Sequence, residues 1–112
     1  MIRRMSIFGQ LSRIRDFERA HLPFLVTLED FDIVRTIGLH QERKETLLLK
    51  QLFLEDIGSI ATVTRRLRRL RKNGKVLVGE HGPDRRVVVL TLSAPVHSTY
   101  LRYGKLLASL GA

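Results

Sequence analysis

The sequence predicts a mainly helical α+β domain with one small β-hairpin, and three observations predict it. Apolar residues recur at helical spacing through most of the chain. The one valine-rich, strand-like stretch lies between residues 75 and 92 and is broken by Gly82-Pro83. A block of arginines sits on a helix-like segment that stops at Asn73-Gly74.

Each element follows from local chemistry. Ser6 caps a first helix over about Ile7–His21, with Ile7, Leu11, Ile14 and Phe17 on one stripe; Pro23 stops it, because the residue before a proline resists helical angles. Thr27 opens a second helix, with Asp30 in the place of the usual capping-box Glu, and Leu28, Phe31, Val34 and Ile37 at helical spacing. Gly38 and the polar run His40–Lys44 mark its expected end. A third helix is expected over Thr46–Leu54, apolar nearly all round and therefore buried on more than one side.

Ser59 caps a fourth helix that reaches Asn73, with Ile60, Val63, Leu67 and Leu70 on its buried side. Two strands, Lys75–Glu80 and Arg86–Leu92, form the hairpin. Ser93 caps a last helix that begins at Ala94-Pro95 and runs to about Leu110. Two helices, a turn, a helix and a hairpin make the winged helix-turn-helix arrangement. Residues 27–93 would be its core, and 1–26 and 94–112 flanking helices within one domain.

Charge points to a partner. The 112 residues hold 20 Lys or Arg against 11 Asp or Glu, a formal charge of +9. Nine of those cations lie between Ser59 and Arg86, opposed only by Glu80 and Asp84. A charge run is ordinarily a solvated helix face. Here no acid stands between Ala61 and Lys75, so the like charges repel without the usual i,i+4 pairs. A second cluster, Arg85-Arg86, follows on the hairpin. A field so focused suits a polyanion. Opposite the apolar stripe, the fourth helix begins small and polar (Ser59, Ala61, Thr62) and then turns cationic (Arg65, Arg68, Arg69, Lys72). Small residues let a helix end approach base edges; cations suit phosphate.

The run Ala61-Thr62-Val63-Thr64-Arg65-Arg66-Leu67, continuing through Leu70-Arg71-Lys72-Asn73-Gly74-Lys75-Val76, resembles the recognition helix and first wing strand of MarR-type winged-helix regulators. Asp84-Arg85-Arg86-Val87-Val88-Val89-Leu90-Thr91-Leu92-Ser93 is similar to that family's wing pattern, D-x-R-x-x-x-L-x-L-T, with Ser for the final Thr, and Leu28-Glu29-Asp30-Phe31 to its second-helix opening. The resemblance covers about residues 27–95. It implies a homodimeric transcriptional regulator, a repressor, on palindromic double-stranded DNA, with helix 59–73 in the major groove. Arg86 would reach the minor groove from the wing, braced by Asp84, and Arg65 would contact DNA.

The residues expected to touch DNA are thus Ser59, Ala61, Thr62, Arg65 and Arg66 at the bases, Arg68, Arg69, Lys72 and Lys75 at phosphates, and Arg85 and Arg86 at the minor groove. Val96, Tyr100, Tyr103, Leu107 and Leu110 are spaced 4, 3, 4 and 3, a heptad-like seam. With Ile7, Leu11 and Ile14 they are the expected dimer interface; packing on the first helix of the same chain is the competing reading. A second functional reading is a winged-helix assembly module, as in a phage or plasmid replication complex, with the basic face on an acidic partner.

Other chemistries find little support. There is no cysteine, and His21, His40, His81 and His97 are scattered, so no metal site is expected. Phosphate-binding glycine loops and any nucleophile–base–orienter set are absent, which argues against an enzyme or a cofactor. No stretch is long and apolar enough for a membrane span, and no signal-peptide pattern opens the chain, so a cytoplasmic protein is expected.

Overall fold

The computed structural model describes residues 5–81 and 84–111, with side chains for all of these except 80, 81 and 84–87. Five helices and one hairpin follow in order: α1 (Ile7–His21), α2 (Leu28–Glu42), α3 (Leu49–Leu54), α4 (Ile60–Lys72), β1 (Val76–His81), β2 (Asp84–Leu92) and α5 (Ala94–Leu110). The helix starts obey the capping expectations. Ser6 Oγ accepts from the Gly9 amide and Ser59 Oγ from the Thr62 amide, both at 3.1 Å. Thr27 and Asp30 form the reciprocal box, each side chain accepting from the other's amide at 3.2 Å. Ser93 stands before α5 without a side-chain cap; Pro95 in the first turn needs none for its own missing N–H.

Expectations about the middle of the chain are partly corrected. Helix α2 ends at Glu42, within the expected run His40–Lys44, but passes through Gly38 without a break. A Cβ at Gly38 would stand 3.4 Å from Leu92 Cδ1, so the glycine lets β2 approach the helix closely. Lys44, at φ 56°, makes the left-handed turn that releases the chain, its amide donating to the Gln41 carbonyl. The helix expected from Thr46 begins only at Leu49. Residues 47–48 are extended: the Leu90 amide donates to the Leu47 carbonyl at 3.0 Å, and Leu48 bridges Val89. An apolar run of this length reads equally as strand or helix, and the open edge of β2 decides it. Leu47 and Leu52 are buried, but Leu54 is 86% exposed, so α3 is buried on one side only.

The hairpin pairs Val76 with Leu92, Val78 with Leu90 and Glu80 with Val88, with a register shift between Glu80 and His81. One face of this register, Val76, Leu90 and Leu92, meets Ile33, Val34 and Ile37 of α2 and Val63, Leu67 and Leu70 of α4 in a single aliphatic core. The Gln41 side chain accepts from the Leu92 amide at 2.8 Å and fixes α2 to β2. α1 and α5 pack on each other beside this core, and the whole chain measures 60 × 27 × 23 Å.

Candidate nucleic-acid interface

Helix α4 is held from two directions. Val63, Leu67 and Leu70 lie in the core. Between them Arg66 turns toward α2, and its guanidinium grips Asp30 twice: Nε to Oδ1 at 2.8 Å and an Nη to Oδ2 at 2.6 Å. The fork-on-carboxylate geometry fixes orientation as well as distance. Asp30 is fully buried, and its Oδ2 also accepts from the Val26 and Thr27 amides at 2.9 and 3.2 Å. Burial alone would raise its pKa; the Arg66 hydrogen bond and the two amides outweigh that and hold the carboxyl below its ordinary value. Asp30 in turn pushes the Arg66 pKa up. One carboxylate therefore closes the α2 capping box and pins α4.

Arg66 is accordingly a correction. Expected at a base edge, it is 13% exposed and committed inside its own protomer. Lys75, expected at a phosphate, is half-exposed. Its Nζ lies 4.8 Å from the centroid of the Phe24 ring, on the far side of the Gly74 turn, where φ is 72°. The ammonium rests over an aromatic face of the same chain.

The rest of the expected set on α4 stays together on one face. Ser59, Ala61, Arg65, Arg68, Arg69 and Lys72 are exposed and Thr62 half-exposed, and among the described residues none of these cations pairs with a carboxylate. Arg71, left out of the expected set, is exposed on the flank toward β1. The side chains of Asp84, Arg85 and Arg86 lie outside the described residues, as does any contact of the wing tip. Sequence reasoning missed Asp30 as the anchor of the basic helix, and no local signal could have found it, because its partner is 36 residues away.

At the other end, the expected seam divides. Val96 is in the core. Tyr100 and Tyr103 stack at 5.9 Å, Tyr103 meets Phe17 of α1 edge-on at 4.9 Å, and its hydroxyl donates to Glu18 at 3.1 Å. These three side chains pack within the protomer, because α1 lies against α5 and offers Phe17 and Glu18 at the right height. Ile7, Leu11 and Leu107 are exposed, together with Phe8 at 77%, while Ile14 and Leu110 are half-buried. Beside them a cleft of about 550 Å³ opens between α2 and α5, lined by Phe31, Val34, Leu39, Tyr100 and Leu107 among others.

No family model matches the sequence, and no curated protein matches it either. Solved structures do. NadR in complex with 4-hydroxyphenylacetate superposes with a TM-score of 0.60 at 23% identity, over 95% of this chain and 76% of that one. The chain has the MarR-type winged-helix fold. Wild-type MarR from E. coli in its apo form gives 0.59 at 16% identity, over 93% and 78%. A mutant MarR from E. coli complexed with operator DNA gives 0.58 at 19%, over 89% and 69%. Within this MarR-type fold, α4 stands between the α3 turn and the hairpin, as a winged helix requires. No described helix is long and apolar enough to cross a membrane.

Proposed function

We propose that the protein is a sequence-specific regulator of transcription that binds duplex DNA as a homodimer and represses. One observation carries this: α4 is anchored by Val63, Leu67, Leu70 and the Arg66–Asp30 pair, which leaves Arg65, Arg68, Arg69 and Lys72 bare on one face. A helix so fixed presents a rigid cationic ridge of the diameter a major groove accepts. Ser59, Ala61, Thr62 and Arg65 read base edges from its N-terminal half. Arg68, Arg69 and Lys72 hold phosphates, and the wing arginines Arg85 and Arg86 reach the minor groove with Asp84 in support. The fold's occurrence in a MarR protein complexed with operator DNA supports the reading. The exposed ends of α1 and α5 (Ile7, Phe8, Leu11, Leu107) and the cleft beside them suit a second copy.

Selection of bound duplexes from a random pool tests it. A palindromic consensus is expected, because a two-fold protein matches a two-fold site. Three phosphate cations per protomer predict that log K falls with log salt at a slope of about −5 for the dimer. Arg65→Ala weakens binding to the selected site by about tenfold or more and relaxes preference at one position per half-site. No retention of any duplex at low salt overturns the reading and favours an acidic protein partner.

A further inference from the structure

We propose that Ile60 is a specificity-determining residue that packs against the 5-methyl group of a thymine; this rests on the DNA-binding reading above. The apolar pattern of α4 placed Ile60 with the core stripe, but it is 65% exposed while Val63, less than a turn later, is fully buried. The helical wheel explains the difference. The direction shared by Val63, Leu67 and Leu70 lies roughly 60° from Ile60, at 100° per residue. Ile60 therefore heads a flank that continues through half-buried Thr64 to exposed Arg68 and Arg71. That flank is aliphatic at the N-terminal end of the helix and cationic at the other. Its neighbours in the first turn, Ser59 and Ala61, are small and exposed, so nothing bulky on the same turn screens the isoleucine.

The chemistry of the groove then selects the target. Bases show donors and acceptors along the major groove, and the only apolar group there is the 5-methyl of thymine. A branched aliphatic side chain can make no hydrogen bond, so it distinguishes bases through that methyl alone. Other exposed apolar side chains among the described residues include Ile7, Phe8 and Leu11 on α1, Leu101 and Leu107 on α5, and Leu28 and Leu54 at the start of α2 and the end of α3.

The test uses the selected duplex and the full chain. Each thymine is replaced in turn by deoxyuridine, which removes the methyl and keeps base pairing. One thymine per half-site is expected to respond, with binding about fourfold weaker per methyl lost. Ile60→Ala should bind the thymine duplex about that much more weakly and no longer distinguish it from the deoxyuridine duplex. If the duplex is bound but no thymine responds, or if Ile60→Ala still distinguishes the pair, the contact is wrong while DNA binding stands. A change in sedimentation for Ile60→Ala would place the residue at a subunit contact and overturn the proposal. Failure to retain any duplex overturns both readings. The deoxyuridine arm uses unaltered protein, so it holds even if the variant misfolds.

Discussion

Helices α2 and α4 and the hairpin supply most of the buried aliphatic core, with Leu28, Ile60 and Leu77 left exposed at its margins, whereas along α1 and α5 only Val96 is fully buried. Helix α2 buries Ile33, Val34 and Ile37, and α4 buries Val63, Leu67 and Leu70. Helix α1 buries nothing fully, and α5 buries only Val96. The difference teaches where the chain is complete. The winged half closes on itself and needs no partner to hold α4 in place. The helical pair joins through half-buried aromatics and leaves Ile7, Phe8, Leu11 and Leu107 uncovered. The first half is the better packed of the two, and the second carries the apolar surface on which the proposed dimer rests.

The largest expected effect breaks the first half. Asp30→Ala removes the N3 half of the α2 capping box and strands a largely buried guanidinium, a loss of about 3–5 kcal/mol. In a chain of this size that lowers Tm by about 10 °C or more. The pH dependence has the matching sign. The folded-state pKa of Asp30 is depressed, so its contribution is present above the ordinary carboxyl value of 3.8 and is lost as the pH falls below it, through the lower folded value. Thermal denaturation across that range should show an acid-side drop that is smaller in Asp30→Asn. A variant as stable as the parent would mean that apolar packing alone fixes α4.

The second effect breaks the other half. Ile7→Glu combined with Leu107→Glu places charge on the uncovered surface. In the proposed dimer, loss of two aliphatic burials per protomer raises the dissociation constant by about a hundredfold or more. The fold should survive, because neither side chain reaches the core. Sedimentation measures it: an unchanged oligomer would show that these helix ends are merely solvated.

What the sequence reveals divides along the same line. The caps at Ser6, Thr27 and Ser59, the stop at Asn73-Gly74 and the hairpin are local chemistry, and local chemistry reads directly from residue order. The misplacements concern partners distant in the chain. Leu47 and Leu48 look helical until β2 offers them an open edge. Arg66 looks like its neighbours until Asp30 is folded beneath it. Tyr100 and Tyr103 fit a heptad seam, and only the proximity of Phe17 and Glu18 shows which chain they meet. Ile60 fits the stripe by spacing but sits at its edge, at the first turn, where the core has already ended.

The smallest effect sharpens the comparison where its two halves meet, at the tyrosine pair. Burial, and then the negative charge of Glu18, push both phenols up to about 12 from an ordinary value of 10. A raised pKa on an acid means that the folded state favours the protonated form. The stabilisation is therefore whole below pH 10 and is lost as the pH rises through about 12. The chain has two tyrosines and no tryptophan, so tyrosinate absorbance reports this contact alone. Both phenols should ionise late in the folded protein and near 10 in denaturant. Tyr103→Phe loses the bond to Glu18, about 1 kcal/mol, and halves the late absorbance step. An ordinary titration of Tyr103 in the folded protein would show that α1 and α5 part in solution.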